Sequence, residues 1–335
     1  MDTQGGSRGR ETDQEELIVN CLPLNEGERA RFVQAAGGIR QRFVTDVSVR
    51  DHMQWPMGIS QSDISDATII FGNPSAEQIS HCHRLRWLQT SSAGVDAYTA
   101  PGILPGNAIL TSASGAYGQA VSEHMFAMML ALMKDLPFYR DRQAERDWHP
   151  GGEVYSPQES TVLVLGTGDI GAHFARLCKG AGAVTYGVRR HADQAVEGFD
   201  EIFPFDSLDG LLPKVDVVAL ALPSTPQTRH IIDADRLALM KKRAILLNVG
   251  RGDAVDCRSL ASTLEKGGIF GAGLDVTEPE PLPPDHPLWS QPRCLITPHV
   301  AGGSHLASNV GKIIAICIDN LRRYRAGQDL RNRVR

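Results

Sequence analysis

Three residues of this sequence stand where a polar side chain would face a ligand. Arg251 lies in Asn248-Val249-Gly250-Arg251-Gly252, directly after the apolar run AILLNV. The flanking glycines leave its approach open. A guanidinium there could hold a carboxylate through two parallel N–H bonds and polarise the neighbouring carbonyl. Glu280 lies in Thr277-Glu278-Pro279-Glu280-Pro281, where a proline on each side is expected to fix an extended path. A rigid carboxylate of this kind suits the orienting of a histidine. His299 follows Ile296-Thr297-Pro298 and precedes Val300-Ala301-Gly302-Gly303. Taken singly, each has a plainer reading: a surface arginine paired with Asp253, an exposed loop acid, a polar loop histidine. Glu278 is less clearly aimed and reads as an ordinary loop acid. As a set, the three supply what hydride transfer to a 2-oxo acid needs. Arg251 would bind the carboxylate, His299 would protonate the carbonyl oxygen as hydride arrives at carbon, and Glu280 would favour the imidazolium form. The other histidines form no comparable set. His124, within an apolar helix, reads as a packing histidine.

A hydride needs a donor, and the stretch VLVLGTGDIG offers a place for one. The run Val162-Leu163-Val164-Leu165 reads as a buried strand and ends at once in Gly166-Thr167-Gly168-Asp169-Ile170-Gly171. The next residues, AHFARLCKG, read as a helix with Phe174, Leu177 and Cys178 facing inward. Strand, glycine turn and helix make the start of a dinucleotide-binding βαβ unit. Gly166 allows the tight turn, Gly168 lets backbone approach a pyrophosphate, and Gly171 lets helix pack against strand. The helix N-terminus offers free N–H groups to the phosphates. Without its flanking strand and helix, this spacing would mark only a tight turn.

The elements that must position these residues fall into two α/β regions. In the first, Leu17–Leu22, Ala67–Phe71, Leu85–Thr90 and Ile109–Thr111 read as strands, and Glu26–Ala36 as a helix stopped by Gly37-Gly38. SASGAYG, residues 112–118, reads as a hinge. Gln119 to Arg146 reads as a long helix, apolar nearly all round in its first half and bent or split at Pro137. Core or dimer packing is the favoured use of its methionines, with a cofactor-adjacent wall as the other. In the second region Val162, Val184–Val188, Val215–Leu222, Ala244–Val249, Phe270–Val276 and Cys294–Thr297 start or form six strands. Helices near Asp233–Met240 and Arg258–Lys266 intervene. This pattern fits a doubly wound six-stranded sheet. A last helix, about His305–Tyr324, would return to the first domain. The expected division is a disordered tail over 1–16, a discontinuous substrate domain over 17–111 and 304–335, and a dinucleotide domain over 112–303. In an open parallel sheet, ligands bind beyond the carboxyl ends of the strands. That rule selects Gly166–Gly171, Arg189-Arg190, Pro223–Thr225, Asn248–Gly252, Asp275–Pro281 and Thr297–Gly303.

Composition narrows the partners. The 335 residues are 42% hydrophobic and 22% charged, with a formal net charge of −5. This is ordinary globular composition and gives no reason to expect nucleic acid or an anionic membrane. The six cysteines are scattered without CxxC pairing or zinc spacing, so reduced buried thiols and no metal are expected. No apolar run reaches the ~18 residues of a membrane span. The polar start MDTQGGSRGRETDQEE lacks a secretory core, so a cytoplasmic location is the default expectation.

The chain resembles the D-isomer-specific 2-hydroxyacid dehydrogenase family over nearly all of Leu17 to Ala326. The resemblance rests on LRWLQTSSAGVDAY, SASGAYGQAVSEH, VLVLGTGDIG, LPSTPQTRHII, LLNVGRG, GAGLDVTEPEPLPPDHPLW and ITPHVAGGS, in that order. It implies two doubly wound parallel-sheet domains, a Rossmann-type cofactor domain and a flavodoxin-like substrate domain, with a cleft between them. It puts the catalytic Arg, Glu and His on Arg251, Glu280 and His299. It puts substrate contacts on the backbone of Ala93, Gly94 and Val95, with Trp289 as an aromatic near the substrate. The cofactor set is Gly166, Thr167, Gly168, Asp169, Ile170, Leu222, Pro223, Ser224, Thr228, Val249, Gly250, Asp275, His299 and Gly302, with Asp275 implied near the nicotinamide carboxamide. It also implies a homodimer with the long helix after Gln119 as its arm.

One departure bears on the cofactor. Where NAD-specific relatives carry an acid for the ribose 2′-OH, this chain has Val188-Arg189-Arg190. Two arginines would attract a 2′-phosphate, so NADP(H) is expected over NAD(H), with NAD(H) use still open. The expected activity is reduction of a 2-oxo acid of the glyoxylate or hydroxypyruvate type. Phosphoglycerate oxidation, and a dinucleotide-sensing scaffold or corepressor on the same fold, are the alternatives.

Overall fold

The computed structural model describes residues 16–52, 55, 58–303 and 306–335. The expected tail lies outside these residues except for Glu16, whose carboxylate accepts a hydrogen bond from the Tyr324 hydroxyl at 2.8 Å. The described chain divides into two compact units, passing from one to the other between Ser114 and Gly115 and back between Gly303 and residue 304.

The first unit is built on five parallel strands, β1 (Leu17–Asn20), β2 (Arg40–Phe43), β3 (Ile69–Phe71), β4 (Trp87–Gln89) and β5 (Ile109–Thr111). Their order is β2-β1-β3-β4-β5, the flavodoxin-like arrangement. Helices α1 (Glu26–Ala36), α2 (Gln61–Ile64) and α3 (Ala76–Ser80) connect them. α1 begins at a reciprocal capping box between Asn25 and Glu28 and ends at Gly37 with φ 54°. The strand β2 has no counterpart in the sequence reading. Its residues RQRF lie at a sheet edge and are exposed or half-buried, so they carry none of the apolar signal of a central parallel strand.

The second unit holds seven parallel strands: β6 (Thr161–Leu165), β7 (Val184–Val188), β8 (Glu201–Phe203), β9 (Val217–Leu220), β10 (Ile245–Asn248), β11 (Gly271–Leu274) and β12 (Cys294–Ile296). Their order is β12-β11-β10-β9-β6-β7-β8, a doubly wound sheet with one strand more than expected. The addition is β8, again a partly solvated edge strand, pairing with β7 alone. The long helix expected after Gln119 is two helices, α4 (Gly118–Met133) and α5 (Leu136–Glu145). The break falls at Lys134-Asp135, where Asp135 has φ 52°, and Pro137 sits in the first turn of α5. α6 (Asp169–Gly180), α7 (Leu208–Leu211), α8 (Ala234–Leu239) and α9 (Cys257–Glu265) complete the unit. α4 lies on α6 and on strands β10 and β11, burying Met125, Met128, Met129 and Met133. The helix α6 buries Gly171, Phe174, Ala175 and Cys178, whereas Leu177 is only half-buried.

Helix α10 (Ala307–Arg325) belongs to the first unit, where Tyr324 stacks on Trp87 with ring centroids 5.1 Å apart. His305, expected to begin this helix, lies outside the described residues. All six cysteines are free, and burial pushes the Cys21 and Cys294 thiols up to about 12, leaving no reactive thiolate at either. No described helix is long and apolar enough to cross a membrane.

The junction of β6 and α6 is sterically tight. A Cβ on Gly171 would overlap the carbonyl oxygen of Gly166, whereas a Cβ on Gly168 would meet nothing within 4 Å. Gly171→Ala is therefore expected to cost about 1–3 kcal/mol, lowering Tm by roughly 2–4 °C per kcal/mol. Gly168→Ala should lower Tm less, by only the cost of an alanine at the α6 N-cap. Scanning calorimetry on both variants checks the contrast.

Candidate active site

Three neighbouring strands, β10, β11 and β12, carry Arg251, Asp275 with Glu280, and His299 at their carboxyl ends. After β10 the fully buried Asn248 knots the turn. Its side chain donates to Arg251 O at 2.9 Å and accepts from Gly250 N at 3.1 Å. The Arg251 guanidinium donates to Gly250 O at 2.8 Å and is half-buried. Asp253 accepts from the Ser224 hydroxyl at 2.6 Å. A Cβ on Gly252 would overlap Thr277 O, so the loops after β10 and β11 touch backbone to backbone.

The segment from Thr277 to Pro281 is a run of bends, not the extended path expected from its prolines, and its Glu278–Pro279 and Glu280–Pro281 peptides are both cis. It brings Glu280 to His299, with Oε1 2.6 Å from Nδ1 and both side chains about half exposed. An ionised carboxylate only accepts, so Nδ1 carries the hydrogen and Nε2 is the ring nitrogen left for a substrate.

His299 has φ 55°, a left-handed conformation that histidine tolerates better than most residues. The turn that imposes it is wound around Asp275, which is 2% exposed. The Asp275 carboxylate accepts from Thr297 Oγ1 at 2.6 Å, Val300 N at 2.8 Å and Ala301 N at 3.0 Å. Its backbone oxygen accepts from His299 N at 2.8 Å. Thr297 has one hydroxyl proton and gives it to Asp275, so it accepts from His124 Nε2 at 3.0 Å. His124 is thus not merely packed: it joins α4 to the turn bearing His299.

On the cofactor side, Gly166 turns β6 into α6 with φ 97°, and Gly168 is the N-cap of α6 without a side-chain cap. The first-turn N–H groups at Asp169 and Ile170, beside Thr167 and the open space over Gly168, fit a pyrophosphate. Arg189 and Arg190 follow β7, half-buried and exposed respectively, and neither guanidinium has a partner among the described residues. The loop after β9 folds on itself: Thr228 Oγ1 donates to Pro223 O at 2.7 Å. Leu222 and Val249 are buried, and Gly250 packs against the Leu222 backbone. Gly302 lies against Tyr117 and Val121. Trp289 is 53% exposed and donates to Pro283 O at 2.9 Å. Ala93, Gly94 and Val95 belong to the first unit, where Ser92 Oγ donates to Gly94 O at 2.6 Å. Among the described residues no group of three or more His, Cys, Asp or Glu could hold a metal ion.

Two features of this geometry escaped the sequence reading. One is the link from His124 to Thr297, which joins residues 173 positions apart. The other is Glu278, whose two oxygens meet Arg229 at 2.8 Å and His230 at 2.7 Å. The signal available for the second was the pair Arg229-His230 inside LPSTPQTRHII, two polar residues between a turn and an apolar run.

Comparison with known proteins places this geometry in a family. The model of the D-isomer specific 2-hydroxyacid dehydrogenase NAD binding domain matches residues 126–301. The glyoxylate/hydroxypyruvate reductase B of Pectobacterium carotovorum is 33% identical over 260 residues, covering 75% of this chain and 79% of that protein. The crystal structure of a D-isomer specific 2-hydroxyacid dehydrogenase family protein from Aeromonas salmonicida is 31% identical with a TM-score of 0.79, covering 96% of this chain and 99% of that one. The D-isomer specific 2-hydroxyacid dehydrogenase of Xanthobacter autotrophicus, solved with NADPH and MES, is 28% identical with a TM-score of 0.76, covering 96% and 98%. The chain belongs to the D-isomer specific 2-hydroxyacid dehydrogenase family, and is an NAD(P)-dependent oxidoreductase interconverting 2-oxo and 2-hydroxy acids.

Proposed function

We propose that this enzyme works as an NADPH-preferring reductase of small 2-oxo acids of the glyoxylate or hydroxypyruvate class. The observation that carries the reading is the 2.6 Å bond between Glu280 and His299, one strand away from the loop of Arg251. The Arg251 fork binds the substrate carboxylate and polarises the adjacent carbonyl. His299 Nε2 gives its proton to the carbonyl oxygen, while Glu280 on Nδ1 holds the ring in the orientation and tautomer this requires. The nicotinamide, when bound, supplies the hydride to the carbonyl carbon. Trp289 bounds the space beside the carboxylate. Thr167, Ile170, Ser224 and Gly302 line the cofactor path, with Asp275 at the carboxamide end.

Support for the substrate class comes from the Pectobacterium relative, which is named for glyoxylate and hydroxypyruvate. Support for NADPH comes from the two guanidiniums after β7, which have no partner among the described residues, and from the Xanthobacter relative solved with NADPH. A homodimer is part of the same proposal. Leu136, at the start of α5, is 53% exposed, and Trp148, after α5, is 99% exposed and lines a cavity of about 690 Å³ with Tyr139 and Arg142. A second copy of the chain would cover this apolar surface.

Steady-state reduction of glyoxylate and hydroxypyruvate with both cofactors tests the proposal. NADPH should give the higher kcat/KM, and Arg189→Asp should lower the NADPH value by roughly 10- to 100-fold, the worth of one lost charged hydrogen bond. A clear NADH preference in the wild type contradicts the cofactor assignment. His299→Ala should reduce kcat by about 10²- to 10⁴-fold with NADPH affinity retained; an active variant removes His299 from its role.

A further inference from the structure

Glu280 is 42% exposed and its carboxylate meets His299. Little packs around the side chain, so its aim depends on the backbone path of residues 277–281. That path has three anchors. Thr277 is pressed against Gly252, where a Cβ would overlap its carbonyl. The Thr277 hydroxyl donates to Pro279 O at 2.9 Å. The third anchor is Glu278, one oxygen on Arg229 at 2.8 Å and the other on His230 at 2.7 Å.

The turn that Glu278 grips is itself fixed. His230 N donates to Asp253 O at 2.7 Å, and Ile232 N to Ala254 O at 3.0 Å. His230 sits at φ 47°, so its ring leaves the turn in one direction. The Glu278 carboxylate therefore joins the loop after β11 to the loop after β9, which its own backbone ties to the loop after β10. The three side chains are 32%, 60% and 42% exposed. Ion pairs this exposed add little to global stability, which leaves the placing of the loop as their main physical effect.

We infer that Glu278 is a positioning residue: by bridging Arg229 and His230 it sets the path of Thr277 to Pro281 and so aims Glu280 at His299 Nδ1. This rests on the acid–base roles proposed above for Glu280 and His299. A misplacement of the reacting groups by a fraction of an ångström is enough to slow an oriented proton transfer.

The test uses the full chain with NADPH and glyoxylate or hydroxypyruvate, whichever the wild type turns over faster. Glu278→Gln should lower kcat on the order of tenfold, with KM for NADPH and Tm unchanged. His230→Asn keeps a residue tolerant of positive φ, removes one arm of the bridge, and should lower kcat in the same way. In a Glu280→Gln background, Glu278→Gln should add no further loss, because it acts through Glu280. Wild-type kcat in Glu278→Gln while Glu280→Gln is crippled overturns the inference and leaves the acid–base roles standing. So does a fully additive double variant, or a loss that follows Tm. Wild-type kcat in Glu280→Gln, or no turnover by the wild type, overturns the acid–base reading and the inference with it.

Discussion

The site depends on one buried carboxylate. Asp275 is 2% exposed and accepts three hydrogen bonds, all from the turn between Thr297 and Ala301. A charge taken out of water costs several kcal/mol unless donors replace the lost hydration. These donors do so only if the turn closes around the carboxylate, and closing it places His299 in the left-handed conformation. The geometry of His299, the proposed acid–base residue, is thus set by electrostatics at its neighbour. The sheet fixes Asp275 in turn, since Leu274 just before it pairs in register with Asn248 on one side and Ile296 on the other.

From this anchor the function follows by adjacency. Parallel strands place all their carboxyl ends at one edge, and side-by-side pairing of β10, β11 and β12 turns three distant sequence segments into neighbouring loops. The backbone contact of Gly252 with Thr277 keeps two of these loops in fixed relation. Further along the same edge, β6 and β7 present the glycine turn and Arg189. On the proposed reading, acid–base chemistry and dinucleotide recognition both fall on this one layer of strand ends.

Much of this was legible in the sequence for a physical reason. A buried parallel strand reads as an apolar run, and its carboxyl end shows as an abrupt change to glycine or polar residues, as at Leu165-Gly166 and Asn248 to Arg251. The edge strands β2 and β8 were not legible, because RQRF and EIF are half solvated and pair on one side only. The break at Lys134-Asp135 was placed too late, at Pro137, since proline is welcome in the first turn of a new helix. Glu278 read as a loop acid because its partners lie 48 and 49 positions away. The link from His124 to Thr297 was equally hidden, for no local periodicity reports a hydrogen bond across 173 positions.

The central claim is that Asp275 acts by holding His299. Single-turnover oxidation of bound NADPH by the 2-oxo acid in Asp275→Asn measures it most directly. Asparagine keeps the size but turns an NH₂ toward a backbone N–H that needs an acceptor. The account predicts that NADPH still binds while hydride transfer slows on the order of 100-fold. Hydride transfer at the wild-type rate in this variant would contradict it.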